Sequence, residues 1–270
     1  MIEFESVSKV YAGGSVAVAD FSLAVASHST VCLVGSSGSG KTTLLRMVNR
    51  MVAPTGGRVL IDGTAVAGVD PVGLRRSIGY VLQNGGLLPH RSVAANIATV
   101  PLLEGVARRT ARAAALGLME RVGLDPRLAD RYPGQLSGGQ QQRVGVARAL
   151  AADPLILLMD EPFAAVDPIV RRDLQDDLLR LQADLGKTIL FVTHDIEEAF
   201  RLGDEVVILR ERGEIAQRGT PSSILAEPAD AFVRDFIGAD RASRMLTVQP
   251  TGDRLLVVDD DGRPVGVMRT

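Results

Sequence analysis

The stretch Gly35-Ser36-Ser37-Gly38-Ser39-Gly40-Lys41-Thr42 constrains this chain more than any other feature. It matches the phosphate-binding loop pattern in full, with glycines where the backbone must curl and Lys-Thr at the required spacing. The curl aims backbone N–H groups at phosphate oxygens, and the helix that follows adds the positive end of its dipole. Lys41 is placed to reach the β- and γ-phosphates of ATP. The Thr42 hydroxyl is placed to ligate Mg²⁺, and Thr43 extends the nucleotide-binding set. A glycine turn alone would say little. Here an apolar strand over 30–34 runs into the loop and a helix over 42–51 leaves it, the context such a loop requires.

A second apolar run, 155–159, is followed by Asp160 and then Glu161. An acidic pair at the carboxyl end of a parallel strand lies where such sheets bind ligands. Asp160 can hold magnesium through water, and Glu161 can take a proton from water in line with the γ-phosphate. Read alone, a helix cap or a surface ion pair remains an alternative. A third apolar run follows at 188–192. Between the two, residues 169–185 place Leu174, Leu178, Leu181 and Leu185 on one helical face. Asp167-Pro168 supplies a capping acceptor and a proline at the first helical position. Strand, helix, strand with continuous apolar strands predicts a parallel sheet covered on both faces.

Elsewhere the pattern predicts short strands over 2–34, strands at 58–61 and 78–82, and a mostly helical segment from about 92 to 152, broken at 123–126 and 132–134. Asp195 and Glu198 can form a capping box for a helix from Ile196 to about Leu202. Beyond Gly238 the pattern changes, and 255–258 with 264–268 reads as a hairpin around Asp259-Asp260-Asp261-Gly262.

With 270 residues, 46% of them hydrophobic, the chain can bury one main domain and carry an accessory tail. Its net charge of -2 offers no general attraction to nucleic acid, and none is expected as a partner. The single cysteine, Cys32, lies in the apolar strand before the loop and reads as a small core residue in a reducing compartment. No apolar run reaches the roughly 18 residues of a membrane-spanning helix. The N-terminus lacks the basic start and apolar run of a secretory signal. His28 and His90 have no catalytic context and read as structural or exposed.

Leu136-Ser137-Gly138-Gly139-Gln140 matches the signature of ATP-binding-cassette (ABC) transporter subunits, and the resemblance spans roughly residues 2–240. It implies an α/β fold: a P-loop NTPase nucleotide-binding domain with a mixed core sheet, an antiparallel β subdomain and a helical subdomain at about 92–152. In that family the signature precedes a helix, read here as starting near Gln141. It reaches across a head-to-tail homodimer to the γ-phosphate held by the other copy, with Ser137, Gly138 and Gly139 as donors and Gln140 closing the motif. The resemblance also implies that Tyr11 stacks on adenine and that Gln83 senses magnesium and the attacking water. His194 is implied as the switch histidine beside Glu161, and Asp167 as part of the loop crossing the dimer interface. That loop reads Ala164-Ala165-Val166-Asp167 where the family more often has Ser-Ala-Leu-Asp.

The stretch Lys41 to Arg50, with Gly86 to His90, Asn96 to Pro101 and Phe163 to Ile169, resembles importers of quaternary amines: glycine betaine, carnitine and choline. The implied partners are membrane-spanning permease subunits and an extracytoplasmic substrate-binding protein, with this chain peripheral at the cytoplasmic face. The tail, 241–270, resembles part of a cystathionine-β-synthase (CBS) domain and is too short for a complete regulatory pair. A subunit for another solute is the alternative, and a non-transport cassette ATPase a weaker one. The latter carries a long coiled coil between loop and signature, and no heptad run lies there.

Overall fold

Alternating apolar residues at the N-terminus and continuous apolar runs further on build two kinds of sheet. In the computed structural model, residues 1–83, 85–164, 166–238, 247–251, 254–258 and 264–268 are described. Along the chain, β1 (Ile2–Val10) and β2 (Val16–Val25) precede β3 (Thr30–Gly35), and the glycine-rich loop leads into α1 (Lys41–Val48). Then come β4 (Gly56–Ile61), β5 (Thr64–Ala65), α2 (Pro71–Ser77) and β6 (Ile78–Val81). Four helices follow: α3 (Val93–Ile97), α4 (Thr99–Leu103), α5 (Arg108–Arg121) and α6 (Gly138–Leu150). The run closes with β7 (Ile156–Asp160), α7 (Pro168–Leu185), β8 (Thr188–Thr193), α8 (Ile196–Leu202), β9 (Glu205–Leu209) and β10 (Ile215–Gly219).

β1, β2, β4 and β5 form an antiparallel sheet in the order β2-β1-β4-β5, with Ile2 opposite both Val25 and Ile61. Its inward face carries Ile2, Phe4, Val7, Phe21 and Leu23, and the rings of Phe4 and Phe21 meet edge to face at 5.3 Å. The second sheet has the order β10-β9-β3-β8-β7-β6, parallel throughout except for β9 with β10. Every residue of β3 and β8 is buried, as strands covered on both faces must be. Leu44, Leu45, Met47 and Val48 of α1 join the inner face of the antiparallel sheet to the central sheet in one core. Each such side chain contributes about 1.5–3 kcal/mol through burial. The fold is therefore the α/β architecture with mixed core sheet, antiparallel sheet and helices that the resemblance implied.

Two differences from the sequence expectation have local causes. The helical segment breaks twice more, at Ala98 between α3 and α4 and after α4, where Gly105 turns at φ 85. The signature helix starts at Gly138, three residues earlier than read from the sequence. Glycine's poor intrinsic helicity matters least in a first turn held by its cap.

The chain divides into two compact units, Met1–Pro221 and Ser222–Thr270. At and beyond that division lie α9 (Pro221–Ala226), α10 (Ala231–Phe236) and the antiparallel strands β11 (Thr247–Thr251), β12 (Arg254–Val258) and β13 (Pro264–Met268). The expected hairpin is present as β12–β13, with Leu255 opposite Met268. β11, which pairs Thr247 with Val258, was not anticipated. The Asp259–Gly262 turn lies outside the described residues.

Candidate nucleotide-binding site

Parallel strands β3, β7 and β8 lie side by side, so the loops leaving their carboxyl ends meet at one edge of the sheet. From β3 comes the glycine-rich loop. Gly40 caps α1 at φ 92, and a Cβ there would stand 2.6 Å from the Ala17 carbonyl oxygen, so only glycine fits. Lys41 curls back over the loop: its Nζ donates to the Gly35 carbonyl at 2.7 Å, the Ser36 carbonyl at 2.8 Å and Ser39 Oγ at 3.2 Å. Burial lowers its pKa below the ordinary lysine value, and the nearby charges of Glu161 and Asp160 partly restore it.

From β7 come Asp160, buried, and Glu161. Asp160 Oδ1 accepts from Thr42 Oγ1 at 2.7 Å. Glu161 takes the left-handed conformation, φ 46, with its N–H donating to the Val192 carbonyl of β8 at 2.9 Å. A non-glycine residue held there stores strain, as functional turns often do. The turn puts Glu161 Oε2 3.0 Å from Nδ1 of His194, two residues beyond Val192. A cavity of about 350 Å³ lies over the loop, lined by Tyr11, Ser37, Gly38, Gly40 to Thr43 and Glu161. Tyr11 is exposed, its hydroxyl 3.4 Å from Thr43 Oγ1 and its ring 5.2 Å from the Lys9 ammonium.

Two residues join this site that motif reading passed over. The Tyr80 hydroxyl donates to Asp160 Oδ2 at 3.0 Å, and an Arg46 guanidinium nitrogen stands 3.6 Å from that oxygen. Burial pushes the Tyr80 phenol up to about 12, so it remains a donor at ordinary pH. The available signal was a polar tip in an otherwise apolar strand, and an arginine one helical turn after Thr42.

A family model described as "ABC transporter" matches residues 18–164, over half of the chain. The chain belongs to the ABC transporter family. Among curated relatives, the glycine betaine/carnitine/choline transport ATP-binding protein OpuCA of Bacillus subtilis is 51% identical over 89% of this chain and 63% of its own length. The choline transport ATP-binding protein OpuBA of the same organism is 50% identical, with the same coverage. The glycine betaine uptake system ATP-binding protein YehX of Escherichia coli is 48% identical over 94% of this chain and 82% of its own length. The chain thus spans about three fifths of the first two relatives. A solved ATP-binding cassette, dimeric in a post-hydrolysis state with ADP and Pi, is 34% identical at a TM-score of 0.73, covering 82% of this chain and 99% of that one. The cbiO1 protein of Clostridium perfringens, part of an ABC transporter complex, matches at 28% identity and a TM-score of 0.76, over 84% of this chain and 90% of its own.

The ABC signature lies apart from the cavity lining. Ser137 caps α6: its Oγ accepts from the Gln140 N–H at 3.3 Å while Gln140 Oε1 accepts from the Ser137 N–H at 3.0 Å. The box caps the first turn, and the N–H groups of Gly138 and Gly139 at its start have no acceptor within the helix. A Cβ on Gly139 would come within 2.5 Å of Val170 on α7, so the glycine lets the two helices approach. Asp167 is exposed and caps α7, accepting from the Ile169 N–H at 2.9 Å. Arg171 donates to the Val166 carbonyl at 3.3 Å and stands 3.7 Å from Asp195, tying this loop to the one that carries His194. Ala165, within that loop, lies outside the described residues. Gln83 is exposed beyond β6 and does not line the cavity.

His28 is structural: its ring contacts the Gly186 carbonyl and its N–H donates to Thr188 Oγ1. His90 is exposed. Cys32 is wholly buried, which pushes its thiol far above the ordinary range and leaves it inert.

Proposed function

We propose that this chain hydrolyses ATP as one of a head-to-tail pair of cassettes, driving uptake of quaternary amines (glycine betaine, carnitine or choline) through a separate membrane-spanning permease. One observation carries the hydrolytic reading. A single sheet edge gathers a buried ammonium (Lys41), a hydroxyl–carboxylate pair (Thr42–Asp160) and a carboxylate–imidazole pair (Glu161–His194), and Lys41, Thr42 and Glu161 line one cavity. The cargo is supported by the relatives, since the machinery for hydrolysis does not touch the solute.

Lys41 exchanges its loop carbonyls for β- and γ-phosphate oxygens, while the loop glycines, Ser36, Ser37 and Ser39 shape the cradle. Tyr11 stacks on the adenine. The side-by-side hard oxygens of Thr42 and Asp160 suit Mg²⁺, and Gln83 would join them as a further protein ligand. Among the described residues no group of three or more His, Cys, Asp or Glu is arranged to hold a metal, so the phosphates themselves would supply further ligands. When bound, the ion neutralises charge on the β- and γ-oxygens. Glu161 takes the proton from water attacking the γ-phosphorus; the bond to the bridging oxygen breaks, and ADP and phosphate form. His194 holds Glu161 in the orientation this requires. From the partner cassette, Ser137, Gly138 and Gly139 donate to the γ-phosphate, and Asp167 lies in the loop that crosses between copies. The cassette spans 2–240 in this reading, with the helical part at 92–152 meeting the permease and 241–270 a short tail like part of a CBS domain.

Among the described residues no helix is long and apolar enough to cross a membrane. We place the subunit peripherally at the cytoplasmic face, held by its permease, with an extracytoplasmic binding protein delivering solute. The test is co-purification with the permease, reconstitution in vesicles, and uptake of labelled betaine, choline and carnitine. ATP-dependent uptake of at least one, lost on Glu161→Gln, is the expected result. Uptake of a different solute alone overturns the cargo; an assembled complex that does not hydrolyse ATP overturns the enzymatic reading.

A further inference from the structure

Both oxygens of the buried Asp160 carboxylate are engaged, and from different sides. Oδ1 accepts from Thr42 Oγ1 at 2.7 Å, and Thr42 lines the cavity. Oδ2 accepts from the Tyr80 hydroxyl at 3.0 Å, with the Arg46 guanidinium 3.6 Å away and its Nε 3.5 Å from the same hydroxyl. The topology makes this arrangement natural. Tyr80 on β6 pairs with Leu158 on β7, two residues before Asp160, so the two side chains emerge on one face of the sheet. Thr42 and Arg46 stand one turn apart on α1 and reach Asp160 from the same helix.

A carboxylate turns readily about its last torsion, whose profile is broad and two-fold. A hydrogen bond to one oxygen fixes the plane and decides which oxygen points where. We propose that Tyr80 is a positioning residue for the divalent-cation site: its hydroxyl anchors Oδ2 of Asp160 and so keeps Oδ1 beside Thr42, facing the nucleotide cavity. Arg46 supports the anchor, its guanidinium standing near both the hydroxyl and Oδ2. Partners of this kind hold a metal ligand ready before the ion arrives, and their loss typically costs about 10- to 100-fold in metal affinity. The inference rests on the reading of Thr42 and Asp160 as the Mg²⁺-binding pair.

The test uses the full chain and the variant Tyr80→Phe, which keeps the ring and its packing but removes the hydroxyl. Binding of a non-hydrolysable ATP analogue is measured by calorimetry in EDTA, and Mn²⁺ binding to the analogue complex by electron paramagnetic resonance. Circular dichroism checks that the variant is folded. The expected result is equal analogue affinity in EDTA, with Mn²⁺ affinity lowered roughly tenfold in Tyr80→Phe. A role in packing alone would leave Mn²⁺ binding unchanged, and equal Mn²⁺ affinity in parent and variant overturns the proposal. A parent whose analogue binding does not respond to Mn²⁺ at all overturns the cation-site reading as well, which separates the two failures. Should Tyr80→Phe fail to fold, Arg46→Gln, which leaves the tyrosine in place and removes its support, must lower Mn²⁺ affinity for the proposal to stand.

Discussion

Glu161 Oε2 and His194 Nδ1 lie 3.0 Å apart at the ends of adjacent parallel strands, joined through the Glu161 N–H to the Val192 carbonyl. The backbone turn at Glu161 and the imidazole together leave its carboxylate few orientations. Glu161→Gln keeps the size and much of the hydrogen bonding but cannot accept the proton. Turnover is expected to fall roughly 10²- to 10⁴-fold, with ATP still bound and the closed dimer accumulating. Phosphate release and light scattering in ATP against ADP measure both; hydrolysis at the parent rate would remove Glu161 from the chemistry.

Lys41→Ala should weaken ATP binding sharply and abolish hydrolysis. The variant also strips a buried donor from the Gly35 and Ser36 carbonyls. An unsatisfied buried acceptor costs about 1–3 kcal/mol, so a lowered thermal midpoint is expected beside the lost calorimetric signal. Unchanged nucleotide affinity would contradict the placement of the ammonium at the phosphates.

Ser137→Arg should abolish the ATP-dependent dimer while leaving binding to the chain's own loop largely intact, because Ser137 does not line that cavity. The substitution also removes the cap of α6. Ser137→Ala serves as the control, expected to cost about 1 kcal/mol of stability while retaining part of the dimer. If Ser137→Arg dimerises in ATP as the parent does, the signature does not meet the partner's nucleotide.

Glu198 is buried on α8 and accepts from the Gln175 side-chain amide on α7 at 3.1 Å. Burial raises its pKa above the ordinary 4.5, and the Thr193 and Gln175 hydrogen bonds oppose the shift. The folded state therefore holds this proton more tightly than the unfolded state. Its contribution is full below 4.5, is lost as pH rises through the window up to the raised value, and is constant above it. Glu198→Gln removes that loss, so its thermal midpoint should gain on the parent's between acid and neutral pH. A difference that stays flat across that range would mean that burial does not raise this carboxyl's pKa.

The phosphate loop, the acidic pair Asp160-Glu161 and the order of strand, helix and strand around them were legible in the sequence. Each depends on neighbours along the chain: a glycine that frees φ, a proline at a helix start, an unbroken apolar run that must be covered on both faces. The sequence expectation puts the signature glycines ahead of their helix; in the structure the Ser137–Gln140 box draws them into its first turn, where Gly139 lies against Val170. β11 was missed because its five residues, with a proline among them, show no clear alternation, and its pairing with β12 supplies what its own pattern lacks. Only the tertiary structure decided that Glu161 turns left-handed toward His194, and that Tyr80 and Arg46 close on Asp160. These contacts join residues far apart in the chain, and local propensity carries no record of which side chain a neighbouring strand or helix will present. What brings them together is the register of β6 against β7 and the burial of α1 beside the sheet.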